Sequence, residues 1–283
     1  MLIKYQINEL EPYINWVYFF FAWKVRPGSD EAEGLKIEAE RMLHALNAHY
    51  SVRAVVELFK CNSLGDDIIL QHPTNCSCCK MNPRMIGRLP MLRQQVASKE
   101  DGVCYCLSDF IRPIGQGIQD TIGVFAASVP AAMQNLYNDD PYKQMLVQTL
   151  SDRLAEAAAE VLHADVRKRY WGYAQDEDLS VEELHMERYQ GIRPAVGYPC
   201  LPDISLNFVL DELVPFSQIG VELTENGMMY PHASVSGLMM SHPSSRYFDV
   251  GQITNEQLED YAKRCGKTSD EIRKYLSRNV KEE

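Results

Sequence analysis

The chain has 283 residues, above the usual domain size of roughly 100–150, and is long enough to bury a core as one large domain or two lobes. A hydrophobic fraction of 46% and a charged fraction of 24% are ordinary for a globular protein and exclude a largely disordered one. The formal charge of -11 disfavours non-specific binding to nucleic acid or an anionic membrane, because its field repels phosphates before local contacts form.

The most apolar stretch, Trp16 to Ala22, falls far short of the roughly 20 residues a membrane span needs. No basic segment precedes it and no small-residue cleavage site follows, so the cytoplasm is the expected compartment. Asp30 and Glu33 read as a capping box, and Ala32, Leu35, Ala39, Met42, Leu43 and Leu46 recur at helical spacing, which predicts a helix from about 31 to 49. The runs 54–59 and 67–70 flank polar residues 62–66 as a β-hairpin. Residues 72–88 carry little periodicity and read as an irregular excursion.

Strands are predicted over 103–111, with Cys104 and Cys106 on one face, and over 121–127. Asp140-Pro141 then opens a long amphipathic helix through Leu162, followed by Arg167-Lys168-Arg169. Those cations read as complements to the helix dipole or as a docking patch. Short helices follow Ser180 and Ser205, strands are expected over 218–224, 233–240 and 246–250, and two capped helices start at Thr254 and Thr268, separated by Gly266. Strands and helices in blocks favour an α+β fold with a mostly antiparallel sheet.

The common nucleotide-binding, hydrolase and metalloprotease motifs are absent, so the sequence advertises no self-contained catalyst. Eight cysteines are too sparse for a disulfide framework. His72, Cys76, Cys78 and Cys79 have the chemistry of a zinc site, but the adjacency of Cys78 and Cys79 departs from knuckle spacing. Reduced loop thiols are the preferred reading, and no metal site is assigned. No histidine sits in an Asp-x-His-x-x-Gly pattern, so a corrinoid would have to be presented by another domain.

Longer words carry more. Leu107-Ser108-Asp109-Phe110, Asp152-Arg153-Leu154-Ala155-Glu156-Ala157, Tyr170-Trp171-Gly172-Tyr173, Gln190 through Pro199 with Arg193-Pro194-Ala195-Val196-Gly197-Tyr198 at its centre, Leu223-Thr224-Glu225, Ala233 through Gly237 and Ser241-His242-Pro243 follow one another along the chain. In this order they resemble the activation domain of cobalamin-dependent methionine synthase, and the likeness spans nearly the entire chain. The resemblance implies a single C-shaped α+β domain over 1–283 that binds S-adenosylmethionine. It further implies remethylation of cobalamin after oxidation to cob(II)alamin, with partners that are the cobalamin-binding domain and a flavodoxin-type electron donor. The chain would then be a methyltransferase component with no catalytic residue of its own.

The same resemblance implies a ligand site of Asn15, Arg153, Glu156, Glu187, Arg193, Ala195, Gly197, Tyr198, Tyr247 and Phe248. Arg193 offers a planar fork for a carboxylate, or pairs with a neighbouring acid while Tyr198 simply packs. Glu156 and Glu187 hold an α-ammonium or favour a sulfonium, or lie on a solvated helix face, and Arg153 one turn away orients Glu156. Asn15 and Phe248 depart from the family's Asp and Tyr, and both changes remove polar interactions. Two other functions fit the same words: a regulatory module that senses S-adenosylmethionine, and an activator of a different corrinoid methyltransferase.

Overall fold

A computed structural model describes residues 1–72 and 85–280. The chain opens with β1 (Leu2–Gln6), α1 (Ile7–Leu10), α2 (Trp16–Trp23) and α3 (Asp30–Asn47). Next come β2 (Ser51–Leu64), β3 (Asp67–Gln71), β4 (Met85–Pro90), β5 (Asp120–Ser128), α4 (Ala131–Gln134) and α5 (Pro141–Asp165). It closes with α6 (Val181–His185), α7 (Leu206–Leu213), β6 (Glu222–Leu223), β7 (Met229–Tyr230), β8 (Ser234–Met239), α8 (Asn255–Cys265) and α9 (Ser269–Tyr275).

The main sheet runs β4-β3-β2-β5-β8, with β1 also on β2, and every pairing is antiparallel. Both faces are covered. Along β5, Phe125 and Ala127 enter one core beneath α5 and α3, while Ile122, Val124 and Ala126 enter the other beneath α7. That double burial is why 121–127 reads as a continuous apolar run and not as an alternating one. A third small core joins α8 and α9, and Arg264 ties α8 to the sheet through the buried carboxylate of Asp67 at 2.6 Å. No described helix is long and apolar enough to cross a membrane.

The helix over 31–49 is α3, but its cap is Ser29, whose hydroxyl accepts from the Ala32 N–H at 3.2 Å. Asp140 caps α5 as expected, with Pro141 in its first turn. Strand 103–111 does not form. The Asp109 carboxylate accepts from the Cys106 N–H at 2.9 Å and closes a 3-10 turn at Leu107–Phe110, a local bond that competes with any ladder. Cys106 is buried beside that turn, so it shares no strand face with Cys104. Strand 246–250 is also absent, because its amides bond elsewhere: Val250 donates to Pro199 O and Phe248 to Cys200 Sγ. Strand 218–224 shrinks to β6, since Phe216–Ile219 turns as a 3-10 helix stopped by Gly220 at φ +80°. The irregular excursion gives way to β4 from Met85 onward, and Cys76, Cys78 and Cys79 lie outside the described residues. Among the described residues no cluster of three acidic, histidine or cysteine side chains could hold a metal ion.

The basic triplet divides. Past Asp165 the helix widens into a π-turn over Val166–Tyr170, within which Arg167 is fully buried against Glu177 at 2.7 Å. Arg169 stays outside and pairs with Asp165 at 3.2 Å. Arg167 is therefore neither a dipole complement nor part of a docking patch.

On the outer side of β8 the chain from Ile192 to Val196 lies antiparallel to it. Met240 N–H donates to Ile192 O, Leu238 N–H to Pro194 O, and Val196 N–H to Ser236 O, at 2.9–3.0 Å. Backbones approach so closely that a Cβ at Gly237 would collide with the Pro194 carbonyl and stand 2.9 Å from the Ala195 Cα. Gly237→Ala should therefore lower unfolding stability by about 1–3 kcal/mol through overpacking, measured by urea unfolding; an unchanged midpoint would refute this close approach.

Candidate functional site

The segment along β8 carries alternate side chains to one side, so Arg193 and Ala195 face α5 together with Val235. Beyond it Gly197 adopts φ +86° and its N–H donates to Leu201 O at 2.8 Å, a tight turn that sets the ring of Tyr198 outward. Across from this edge, α5 presents Arg153, Glu156, Ala157 and Glu160, spaced i, i+3, i+4 and i+7 and hence on one helix face.

Arg193 joins the two walls. Its Nη2 donates to Glu160 Oε2 at 3.2 Å, with both side chains only 10–13% exposed, and its Nη1 stands 3.5 Å from His163 Nδ1. Burial works against the guanidinium charge, but Glu160, with Tyr189, Tyr247 and Glu156, outweighs it and keeps the group charged. The Arg193 backbone N–H donates to the Tyr247 hydroxyl at 2.9 Å, which fixes the start of the segment. On the outer side Tyr198 Oη donates to Glu156 Oε1 at 3.0 Å, and that carboxylate, aided by burial, pushes the phenol up to about 12.

These walls enclose a cavity of about 700 Å³, within the span of small-molecule sites, about 300–1,000 Å³. Asn15, Arg153, Glu156, Glu187, Arg193, Ala195, Tyr198, Tyr247 and Phe248 all line it, whereas Gly197 does not and serves as the turn behind it. Some details differ from expectation. The Asn15 amide oxygen caps α2, accepting from Val17 N–H at 3.2 Å, so its change from Asp leaves a structural bond in place. Arg153 lies over the ring of Tyr18 at 5.9 Å, and Glu156 is held by Tyr198 instead. Glu187 sits at φ +56°, an uncommon left-handed conformation for a residue with a side chain, and desolvation raises its carboxyl above the usual range.

Sequence reasoning missed Glu160, Tyr13, Tyr18, Leu184, His185 and Tyr189, which also line the cavity. Glu160 was within reach, standing one turn past Glu156 on the same face. The others come from distant segments, and only tertiary structure joins them: His185 Nε2, for example, meets the Tyr13 carbonyl at 3.1 Å and ties α6 to the N-terminal region.

The family described as vitamin B12 dependent methionine synthase, activation domain, matches residues 6–266. The chain belongs to that family. A solved structure described as the MetH reactivation domain bound to AdoHcy is 38% identical, covers 100% of this chain and 90% of its own, and superposes with a TM-score of 0.92. The α+β architecture expected from the blocks of strands and helices is thus that of the activation domain.

Removing Glu160 from this activation domain strands a buried guanidinium. Glu160→Ala should cost about 3–5 kcal/mol of stability, read by urea unfolding at pH 7. The double replacement Glu160→Met with Arg193→Met should recover most of that loss, and equal losses in the single and double variants would contradict the pairing.

Proposed function

We propose that residues 1–283 act as one activation domain that binds S-adenosylmethionine in the cavity between α5 and the Arg193–Tyr198 segment, and presents its methyl group for remethylation of cobalamin. The observation that carries this reading is the buried, charged Arg193 lining a cavity of fitting size, in a chain whose solved relative is described as bound to AdoHcy.

The chemistry of the lining supports it. Glu156, Glu160 and Glu187 face Arg153 and Arg193, so the cavity sets three carboxyl groups against two guanidiniums. S-adenosylmethionine carries one excess positive charge, on its sulfonium, beside a zwitterionic α-amino acid head. The Arg193 fork suits the carboxylate, Glu156 and Glu187 suit the cationic groups, and the Tyr18, Tyr198 and Phe248 rings offer faces to the adenine.

A corrinoid held by another domain or chain would supply the reduced cobalt nucleophile for the sulfonium methyl, with the neutral thioether S-adenosylhomocysteine as the leaving group. This chain's own residues perform no acid–base step. They hold the amino acid head at one end of the cavity and the adenosine along it, which aligns the methyl and excludes water. In this reading the chain is a methyltransferase component that acts in the cytoplasm with a cobalamin-binding domain and a flavodoxin-type electron donor, and it turns nothing over alone.

Calorimetric titration with S-adenosylmethionine tests the reading. Saturable one-site binding is expected, with affinity at least about tenfold lower in Arg193→Ala, the loss of a charge-assisted carboxylate bond. Absence of binding by the parent, or undiminished binding by the variant, would contradict it.

A further inference from the structure

The polar stripe of α5 does not stop at the cavity. One turn beyond Glu160 stands His163, and one turn further Arg167, and both are fully buried. Neither lines the cavity. Arg167 grips Glu177 with two parallel bonds, Nε to Oε2 at 2.8 Å and Nη2 to Oε1 at 2.7 Å, and its guanidinium lies 4.1 Å over the ring of Tyr189. Tyr189 in turn meets the His163 imidazole edge to face, with centroids 4.9 Å apart at 84°. The ring of His163 is thus clamped, and its Nδ1 is aimed at Arg193 Nη1, 3.5 Å away, at the long end of hydrogen-bond range.

The chemistry of that contact is constrained. A guanidinium has donors and no acceptor, so the ring nitrogen that faces it must be unprotonated, which puts the imidazole proton on Nε2. A charged imidazole is disfavoured there by burial and by the neighbouring Arg167 and Arg193, which hold the group well below its usual pKa. Glu160 faces the same guanidinium from one helical turn away and takes Nη2. The rear of the fork is therefore held at two points, one by charge and one by a neutral acceptor.

We infer that His163, braced by Tyr189 and the buried Arg167–Glu177 pair, is a positioning residue that aims the Arg193 fork into the cavity and so sets its preference for ligands with an α-amino acid head. This rests on the S-adenosylmethionine reading of the cavity, and it assigns a role to a side chain that touches no ligand. Glu160 alone neutralises Arg193 but leaves the guanidinium free to pivot about one contact; the second contact removes that freedom. A fork that pivots loses the paired geometry from which its carboxylate selectivity derives.

The test compares AdoHcy with 5′-methylthioadenosine, which keeps the adenosine and thioether but lacks the amino acid head, by calorimetric titration of the intact chain. His163→Leu should bind AdoHcy about tenfold more weakly while its affinity for methylthioadenosine is unchanged. His163→Asn, whose amide oxygen can stand where Nδ1 stood, should restore most of the loss. Undiminished AdoHcy binding by His163→Leu, equal losses for both ligands, or failure of His163→Asn to rescue would each overturn the inference. A parent that binds neither nucleoside would instead sink the reading of the cavity. Whatever the titrations give, nitrogen-15 NMR of the parent imidazoles, with His163 assigned by its disappearance in His163→Asn, must show a neutral ring protonated at Nε2 from pH 7.5 to 5. A proton on Nδ1, or titration near pH 6.5, would overturn the inference whatever the affinities.

Discussion

The contact on which the site depends is the pairing of Arg193 with Glu160 between the sheet edge and α5. A guanidinium this far from water is tolerable only with a partner at hydrogen-bond distance. The partner has to come from another element, because the segment that carries Arg193 runs as an extended edge and cannot bring an acid back to it. The long helix α5 supplies it. Its apolar face packs under the sheet while a polar stripe, from Arg153 through Glu156, Glu160 and His163 to Arg167, runs along the side that meets the signature segment. The last member of the stripe lies in the π-turn that follows α5, a feature often found at functional sites.

The close approach of backbones on the other side of the same segment explains a second part of the sequence. Gly237 sits where any side chain would strike the Pro194 carbonyl, and Gly191, at φ +91°, sits where a Cβ would strike the Met240 carbonyl. Gly237 and the glycine before Ile192 are thus requirements of the register that carries Arg193. Pro194 fits the same register because the edge it occupies asks for its carbonyl, which accepts from Leu238 N–H, and not for the amide hydrogen it lacks.

What was legible in the sequence follows from how local each cause is. Helices α3, α5, α8 and α9 were visible because caps and spacing act within a few residues, and β5 because burial on both faces leaves an uninterrupted apolar run. The segment 103–111 has strand-like composition, yet the Asp109 side chain diverts it into a turn. The segment 246–250 finds its partners in the loop at Pro199 and Cys200, so no ladder forms. Most of the candidate site was reachable through family words, while Glu160 and His163 needed only the continuation of a helical stripe already recognised. Tyr13, Tyr18 and Tyr189 carry no such signal, since their place at the cavity is made by the packing of α2, α5 and α6.

In the proposed mode of binding, a fork held from behind by Glu160 and His163 meets a ligand carboxylate from the front. A crystal structure of the chain with AdoHcy addresses it most directly. The ligand carboxylate is expected within about 3 Å of the Arg193 guanidinium, with the Glu160 bond retained. A ligand bound with its carboxylate elsewhere, or an Arg193 turned away from Glu160 to reach it, would rule that geometry out.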